Sequence, residues 1–390
     1  MNKDIFNNTE VAFAIKSDAA LEKAYWLFKM IKSESLVKLG TGVTKFALKH
    51  HFPVESIIKT TVFDHFCGGV TEDDSLPLVD KLYEKGVYSI LDYSVEGSEK
   101  EESFDNTLRK NLELIEFAKH RKEIPFAVFK PTGLGRFSIY EKITAGKELN
   151  SEEQAEWNRV VDRYDQLAKK AYENDVPLMI DAEETWMQTA ADDLVEQMME
   201  KYNKEKPVVF NTLQLYRKDR LPYLKELHKR AKEKGFKIGM KLVRGAYMEK
   251  ERERAEKMGY EDPICIDKAA TDKNYDDTQA YMVENVNDMT IYSGTHNEDS
   301  AFYLMQLIEK HQLAKDDKRI WFGQLLGMSD HITFNLAKEG YNTSKYIPFG
   351  PVKDVMPYLI RRAEENTSVA GQTSRELQLL NAERKRRKMH

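Results

Sequence analysis

Eight short apolar runs, rich in β-branched residues, recur along the chain, and long charged amphipathic segments separate them. The runs are VYSILDYSV (87–95), PFAVFKPTG (125–133), PLMIDAEE (177–184), PVVFNTLQLY (207–216), IGMKLVRGAY (238–247), MTIYSGTHN (289–297), IWFGQLLGM (320–328) and SKYIPFG (344–350). Strands that alternate with helices in this way form a parallel sheet with helical crossovers. A count of eight predicts an α/β fold, a (β/α)8 TIM barrel.

The segments outside these runs are predicted to be helical. Residues 1–85 have apolar positions at helical spacing and lack the alternation typical of a strand. We therefore expect an N-terminal helical region at 1–85, a barrel at 86–370 and a basic C-terminal tail at 371–390. The stretch around KELNSEEQAEWNR (148–159) is interpreted as a helical insertion after the second strand.

The composition argues against several classes of protein. The 390 residues are 41% hydrophobic and carry a formal net charge of −5, which is typical of a globular protein and unlike a general nucleic-acid binder. No apolar run approaches the about 18 residues that a membrane helix requires. The N-terminal residues resemble neither a secretory signal nor a transit peptide, so we expect a cytoplasmic protein. The C-terminal run ERKRRKMH is interpreted as a solvated tail, with contact to an anionic membrane surface as the alternative.

Familiar cofactor and catalytic motifs are absent from the sequence. There is no GxGxxG after a strand, no P-loop, no HExxH, no EF-hand loop and no GxSxG. Cys67 and Cys265 form no CxxC pattern, which indicates a reducing compartment and excludes a cysteine-rich zinc site. A metal site is disfavoured, because strand alternation sends Asp181 and Glu183 to one side and Glu184 to the other.

Polar residues are predicted at the C-terminal ends of the strands, where barrels of this type collect their active sites. They are Asp92, Glu96, Lys130, Asp181, Glu183, Glu184, Gln214, Arg244, Thr295, His296, Asn297, Gln324 and Tyr346. A barrel with only a structural role has no reason to collect so many polar side chains on one rim. The pattern favours an enzyme over a silent binding module.

Lys130 ends an apolar strand, and two interpretations of it are open. Burial lowers the pKa of a lysine and can turn it into a Schiff-base nucleophile, which would indicate a lyase. We prefer an ion pair at the strand end with Asp181 of the adjacent strand.

The segment YLIRRAEENTS (358–368) places an aromatic ring, two guanidinium groups and a carboxylate on one helical face. Tyr358, Arg361, Arg362 and Glu365 fall at i, i+3, i+4 and i+7. A helix usually turns an apolar stripe inward, so this face is either a solvated basic surface or a site with a function.

Several long motifs together resemble the proline dehydrogenase family. They are KLVRGAYMEKERERAEKMGYEDPI, GTHNED, WFGQLLGMSDH, YIPFG and YLIRRAEENTS, in the family's order and with matching separations. The resemblance extends from the strand with Lys130 to about residue 370. The chain is similar to the stand-alone enzymes, in the branch that includes the mitochondrial proteins.

The resemblance implies a distorted (β/α)8 barrel that binds FAD non-covalently without a Rossmann fold. The implied reaction oxidises L-proline to pyrroline-5-carboxylate by hydride transfer, with electrons passed to a quinone. It also implies peripheral contact with the inner membrane, on the matrix side in a eukaryote. Proline and a quinone are therefore the expected partners, with neither a metal nor nucleic acid.

Family roles carry over to matching positions of this sequence. The catalytic residues implied are Lys130, Asp181 and Lys241. The substrate-binding residues implied are Lys130, Asp181, Tyr247, Leu325, Tyr346, Tyr358, Arg361 and Arg362. The cofactor-binding residues implied are Gln214, Lys241, Val243, Arg244, Gly245, Ala246, Lys268, Thr271, Thr295, His296, Asn297, Gln324, Leu325, Arg362, Glu365 and Ser368. Glu96 is a loosely matched candidate for a gate that pairs with Arg361.

Three positions bear on how this chain differs within the family. Lys241 stands where many bacterial members carry an arginine near the flavin, so the bidentate fork is lost although the charge is kept. Arg244 is a lysine in that same bacterial branch. Tyr346 favours proline over hydroxyproline, because relatives that use hydroxyproline tend to have a small residue there. Hydroxyproline dehydrogenase remains the nearest alternative.

Overall fold

The computed structural model describes residues 2–32, 62–94, 99–368 and 370–389, without the side chains of residues 363–372. Three predicted site residues, Glu96, Glu365 and Ser368, therefore lie outside the described residues or side chains. Part of the predicted N-terminal helical region, residues 33–61, lies outside them as well.

Each of the eight predicted runs coincides with or overlaps a strand. The strands are β1 Val87–Tyr93, β2 Ala127–Phe129, β3 Leu178–Ile180, β4 Val209–Gln214, β5 Ile238–Val243, β6 Met289–Gly294, β7 Ile320–Leu325 and β8 Thr343–Phe349. Their hydrogen-bonding order is β1-β8-β7-β6-β5-β4-β3-β2, and the ladders β1/β8, β2/β3, β3/β4, β4/β5 and β5/β6 are parallel. This order, with helices between successive strands, is that of a (β/α)8 barrel and confirms the predicted fold class.

Helices precede β1 and follow every strand. Before β1 lie α1 Thr9–Ala12, α2 Asp18–Ile31, α3 Asp64–Phe66 and α4 Glu72–Tyr83. After β1 come α5 Glu101–Lys119, α6 Phe137–Thr144, α7 Ser151–Asn174, α8 Thr185–Tyr202, α9 Arg220–Lys234, α10 Met248–Met258, α11 Lys268–Glu284, α12 Glu298–Lys310, α13 Asp330–Lys338, α14 Val352–Ser368 and α15 Ala370–Arg386. Short 3-10 helices span Lys3–Asn7 and Pro131–Gly133. The predicted insertion near 148–159 is helical from Ser151 onward, where it forms the start of α7.

Contacts divide the chain into two compact units, Met1–Ser94 with Gly323–His390, and Val95–Phe322. They are called here the terminal unit and the central unit. In the central unit, buried aromatic rings of β4, β6 and β7 pack around Phe126, which precedes β2. The ring of Phe126 makes edge contacts with Phe210, Tyr292 and Trp321 at centroid distances of 5.7, 5.7 and 5.1 Å. Such contacts bury large apolar surfaces in a fixed geometry.

In the terminal unit, helix α2 packs against the C-terminal helix α15. Phe13 and Phe28 are buried together with Leu379 and Leu380 of α15. This apolar contact joins segments from the two ends of the chain. The residues of α2 that are buried lie along one stripe of the helix, as is usual for a helix that packs on one side.

The basic run of the predicted tail is helical through Arg386 and ion-paired, and it is not frayed. Arg384 donates to Glu22 at 2.7 Å. Arg386 and Arg387 donate to the fully buried Glu383 at 2.8 and 2.7 Å, and Arg387 also reaches Asp18 at 3.0 Å. No helix in the described ranges is long and apolar enough to cross a membrane.

Candidate active site

One carboxylate in the central unit lies between two ammonium groups. Asp181, which directly follows β3, pairs with Lys130 at the end of β2, with Nζ and Oδ2 3.3 Å apart. Its other oxygen accepts a short hydrogen bond from Lys241 on β5. The predicted ion pair of Lys130 is confirmed, and Lys241 joins it as a second cation. An ammonium group held by a carboxylate is not a nucleophile, so this geometry does not favour a Schiff-base lyase.

The segments that follow β2, β3 and β5 are connected by hydrogen bonds to two further carboxylates. Glu183 accepts hydrogen bonds from the backbone N–H of Thr132 at 2.9 Å and from its hydroxyl at 2.7 Å. Glu251, which is fully buried in α10, accepts from the N–H and hydroxyl of Thr185 at 2.8 and 2.6 Å. Burial raises the pKa of Glu251, an effect that these hydrogen bonds oppose. In the described part of the chain, no three potential metal ligands lie together.

Arg244, just after β5, is fixed by three neighbours and a ring. Its guanidinium group donates to Asp272 at 2.8 Å, Thr295 at 2.6 Å and Ser300 at 2.9 Å. It also stacks over Tyr275, 4.5 Å from the ring centroid. Three polar contacts and one cation–π contact leave this positive charge little freedom.

Asp272 is a hub that sequence reasoning missed. It accepts from Arg244 and, at 3.4 Å, from the amide of Asn297, and it pairs with Lys268 one helical turn away. Although burial works in the opposite direction, the hydrogen bonds from Lys268 and Arg244 lower the pKa of Asp272. The only local indication was the i, i+4 spacing to Lys268 in DKAATD.

The predicted flavin contacts of β4 and β5 include a buried hydrogen-bond acceptor that has no partner in the described part of the chain. Gln214 is 2% exposed, and its side-chain oxygen accepts no hydrogen bond from the described residues. Gln214 lies opposite Val243 in the parallel register. A buried acceptor of this kind normally has a partner, and the ring N–H of a flavin is a suitable donor.

The backbone just beyond β5 packs closely against the ring of Tyr216. Gly245 has φ +131°, and a Cβ there would lie 2.4 Å from the ring of Tyr216. Only glycine suits this position. Gly245 and Ala246 are exposed, while Val243 and Tyr247 are partly buried. The Gln214 oxygen, which has no partner among the described residues, and the fixed positive charges of Lys241 and Arg244 fit a flavin, as the resemblance implies.

The other predicted cofactor residues of the central unit lie at the ends of neighbouring elements. Lys268 and Thr271 begin α11, where Lys268 is exposed and Thr271 is buried. Thr295 is buried after β6, and His296 beside it is partly buried. Asn297 caps α12, accepting hydrogen bonds from the N–H groups of Asp299 and Ser300.

The terminal unit carries most of the predicted substrate contacts. Tyr346 on β8 and Tyr358 on α14 are buried, and Arg361 is partly buried. The Arg362 guanidinium group lies 5.3 Å from the ring centroid of Tyr358, so these two residues share one helical face. Leu325 is partly buried.

Gln324 at the end of β7 is buried, and its side-chain oxygen accepts a hydrogen bond from the Thr333 hydroxyl at 2.7 Å. The predicted site residues thus belong to two units, each of which brings its own members together. Their common role around one substrate stays a prediction.

The model of the family "Proline dehydrogenase" matches residues 76–375. A carbapenem antibiotics biosynthesis protein, CarD, of Pectobacterium carotovorum subsp. carotovorum is 35% identical over 322 residues, which are 83% of each chain. Mitochondrial proline dehydrogenase 1 of Homo sapiens is 44% identical over 235 residues, 60% of this chain and 39% of the human one. That of Dictyostelium discoideum is 32% identical over 379 residues, 86% of this chain and 66% of its relative.

Solved structures show the same fold. Proline utilization A (PutA) of Bdellovibrio bacteriovorus, inactivated by N-propargylglycine, superposes with a TM-score of 0.76 at 21% identity. The match covers 95% of this chain and 42% of that one. PutA of Bradyrhizobium japonicum gives a TM-score of 0.67 at 19% identity, over 97% of this chain and 41% of that one. From the extent of the family match and of the relatives' identity, the chain belongs to the proline dehydrogenase family of flavin-dependent oxidoreductases.

Proposed function

We propose that this protein is an FAD-dependent dehydrogenase that oxidises L-proline to pyrroline-5-carboxylate and passes the electrons to a quinone. The observation that carries the proposal is the buried acceptor of Gln214, which has no partner among the described residues. It lies beside β5, which carries Lys241 and is followed by Arg244. That combination suits a ring system that offers an N–H donor and becomes negatively charged on reduction.

The series of predicted contacts favours FAD over FMN. In the central unit they run from β4 through β5 and the end of β6 to the start of α11, which suits a long cofactor. When bound, the flavin supplies a two-electron acceptor. Lys241, held by Asp181, and Arg244, held by Asp272, Thr295 and Ser300, stabilise negative charge without having to reorganise.

The substrate's carboxylate is assigned to Arg361 and Arg362, whose planar forks match it and stay charged. The apolar ring is assigned to Leu325, Tyr346 and Tyr358, which exclude water from it. Oxidation removes a hydride from the ring carbon next to nitrogen and a proton from that nitrogen, and a C=N bond forms. Holding the ring in one pose over the acceptor is the main contribution of these residues.

The first test is an anaerobic titration of the purified, flavin-replete protein with L-proline. We expect bleaching of the flavin absorbance, release of FAD and not FMN on denaturation, and weaker reduction by trans-4-hydroxy-L-proline. A spectrum that does not change with millimolar L-proline contradicts the proposal. Faster reduction by hydroxyproline would favour the alternative substrate.

Transfer to a quinone requires access to a membrane surface, and we propose peripheral contact through the exposed lysines of the C-terminal run. Three arginines of that run are paired with acidic residues, whereas Lys385 and Lys388 are exposed. The surface would be the cytoplasmic face in a bacterium and the matrix face in a mitochondrion. Each exposed basic residue contributes about 1 kcal/mol near an anionic bilayer.

The test is sedimentation with vesicles that contain anionic lipid, at low and at high salt. A variant with both Lys385→Gln and Lys388→Gln keeps the helix contacts that deletion of the tail would break. Reduced partitioning of this variant at low salt supports the contact. Equal partitioning of the variant and the unmodified protein rules out these lysines.

A further inference from the structure

A buried group of charges lies behind the β7–α13 loop of the terminal unit. Lys345 on β8 is 1% exposed, and its Nζ lies 2.8 Å from Asp330 Oδ1 at the start of α13. The other oxygen of Asp330 pairs with Lys16 at 3.1 Å. Burying an ammonium group costs desolvation free energy unless the group is paired and fully hydrogen-bonded. The hydrogen bonds of Lys345 therefore indicate what this buried charge does.

The remaining hydrogen bonds of Lys345 are made to the loop itself. Its ammonium group donates to the carbonyl of Met328 at 2.5 Å and reaches that of Leu325 at 3.4 Å. The loop from Leu325 to Ser329, called here the β7 loop, begins with a residue assigned to the ring of the substrate. Lys345 therefore contacts the backbone of this loop at its first and fourth residues.

Two residues of the β7 loop have positive φ angles, a conformation that neighbouring contacts must stabilise. Gly327 has φ +77° and Ser329 has φ +52°, and the second value is uncommon for a residue with a side chain. His65 contacts the Gly327 carbonyl at 3.0 Å, and Ser329 donates its N–H to Glu376 at 3.3 Å. Elements from both ends of the chain therefore converge on five residues.

Lys345 is placed to act on the ring pocket without touching its contents. Successive side chains of a strand point to opposite faces, so Lys345 and its neighbour Tyr346 lie on opposite faces of β8. The backbone of the strand is also joined to the loop, because Leu326 donates its N–H to the Tyr346 carbonyl at 2.9 Å. The position of Leu325 relative to Tyr346 thus depends on these bonds.

We propose that Lys345 is a positioning residue that fixes the β7 loop and thereby sets the selectivity of the ring pocket for ring size. The proposal rests on the function proposed above for its consequence in catalysis, and on the described contacts alone for the immobility of the loop. The two parts call for separate measurements.

The matched variants are Lys345→Met and Lys16→Met. Each removes one of the two cations on Asp330 and leaves the other, but only Lys345 reaches the carbonyls of the loop. In hydrogen–deuterium exchange of the full chain, we expect the peptide that contains residues 325–329 to lose at least tenfold in protection in Lys345→Met. Lys16→Met should leave it within twofold of the unmodified protein. Equal loss in both variants overturns the role of Lys345.

The catalytic part is tested by the ratio of kcat/KM for L-proline to that for L-pipecolate, whose ring has one more carbon, per bound flavin. We expect this ratio to fall at least fivefold in Lys345→Met, mainly through KM for proline, and to stay within twofold in Lys16→Met. A purely structural role would lower thermal stability in both variants and leave the ratio unchanged, which overturns the proposal.

A second variant covers the case that Lys345→Met does not fold. In Gly327→Ala the charges are intact, but the added Cβ would lie 2.5 Å from the His65 carbonyl oxygen, so the loop must shift. The same fall in the ratio supports the proposal, and an unchanged ratio overturns it. If the unmodified protein shows no reduction by proline, the proposed function fails, while the exchange experiment still decides whether Lys345 holds the loop.

Discussion

The replacement Asp181→Asn tests whether this carboxylate holds two ammonium groups in place. For unit charges 3.3 Å apart, as in the pair with Lys130, Coulomb's law at an effective dielectric constant of about 20 gives an attraction of ~5 kcal/mol. Desolvation offsets part of this attraction. Removing one partner of a buried pair costs about 3–5 kcal/mol. Because Lys130 and Asp181 keep 12% and 16% of their side chains exposed, we expect a loss of about 3 kcal/mol in the free energy of unfolding.

The assay is urea unfolding followed by circular dichroism, with the flavin content matched between variants. Asp175→Asn is the control, because Asp175 forms an ion pair with Lys206 at 2.5 Å in which both side chains are largely exposed. Asp175 has φ +55°, a conformation that asparagine also tolerates, so the control should change stability by less than about 0.5 kcal/mol. Equal small losses in the two variants would refute the reasoning about Asp181.

Three further outcomes are expected. Arg361→Met and Arg362→Met should each lower kcat/KM for proline about tenfold to a hundredfold, since a charge-assisted bond contributes roughly 1.5–3 kcal/mol; equal losses on pyrrolidine, which lacks the carboxylate, would exclude a clamp. Tyr346→Ser should shift preference toward hydroxyproline by about 1–3 kcal/mol, and an unchanged ratio of efficiencies would remove Tyr346 from the ring pocket. Asp219→Asn should lower the melting temperature at pH 7. Burial opposes the shift, but hydrogen bonds from Arg220 lower the pKa of Asp219 to about 2, so its contribution is present above pH 4 and is lost toward pH 2; a difference that persists at pH 2 would contradict this origin.

The strands were predictable because their signal is local. Each is a short apolar run between charged helices, and all eight runs coincide with or overlap a strand. The ion pair of Lys130 and Asp181 was predictable for a related reason. Both follow consecutive strands, and consecutive parallel strands in a barrel place their C-terminal ends side by side.

The polar hubs were not predictable, because their partners are distant in sequence. The sequence around Asp272 indicates only an ion pair with Lys268 at i, i+4. The contact of Asp272 with Arg244, which lies 28 residues away, has no local signal. The basic run at the C-terminus reads as solvated, because Glu22, the partner of Arg384, lies 362 residues away. The contacts of Lys345 are with Asp330 and the carbonyl of Met328, which lie outside its strand, so the neighbouring sequence did not indicate them.

The same long-range contacts show that residues at the two ends of the chain stabilise the β7 loop. A barrel limited to residues 86–370 would lack Lys16, His65 and Glu376. Lys345 and Asp330 would remain as a pair, but Asp330 would lose its second cation. The Gly327 carbonyl and the Ser329 N–H would lose their partners, and unpaired buried polar groups cost about 1–3 kcal/mol each. Since Leu325 begins this loop, the residues at both ends of the chain support a segment of the proposed ring pocket, although none of the described residues in α1–α4 or α15 was predicted to touch the substrate.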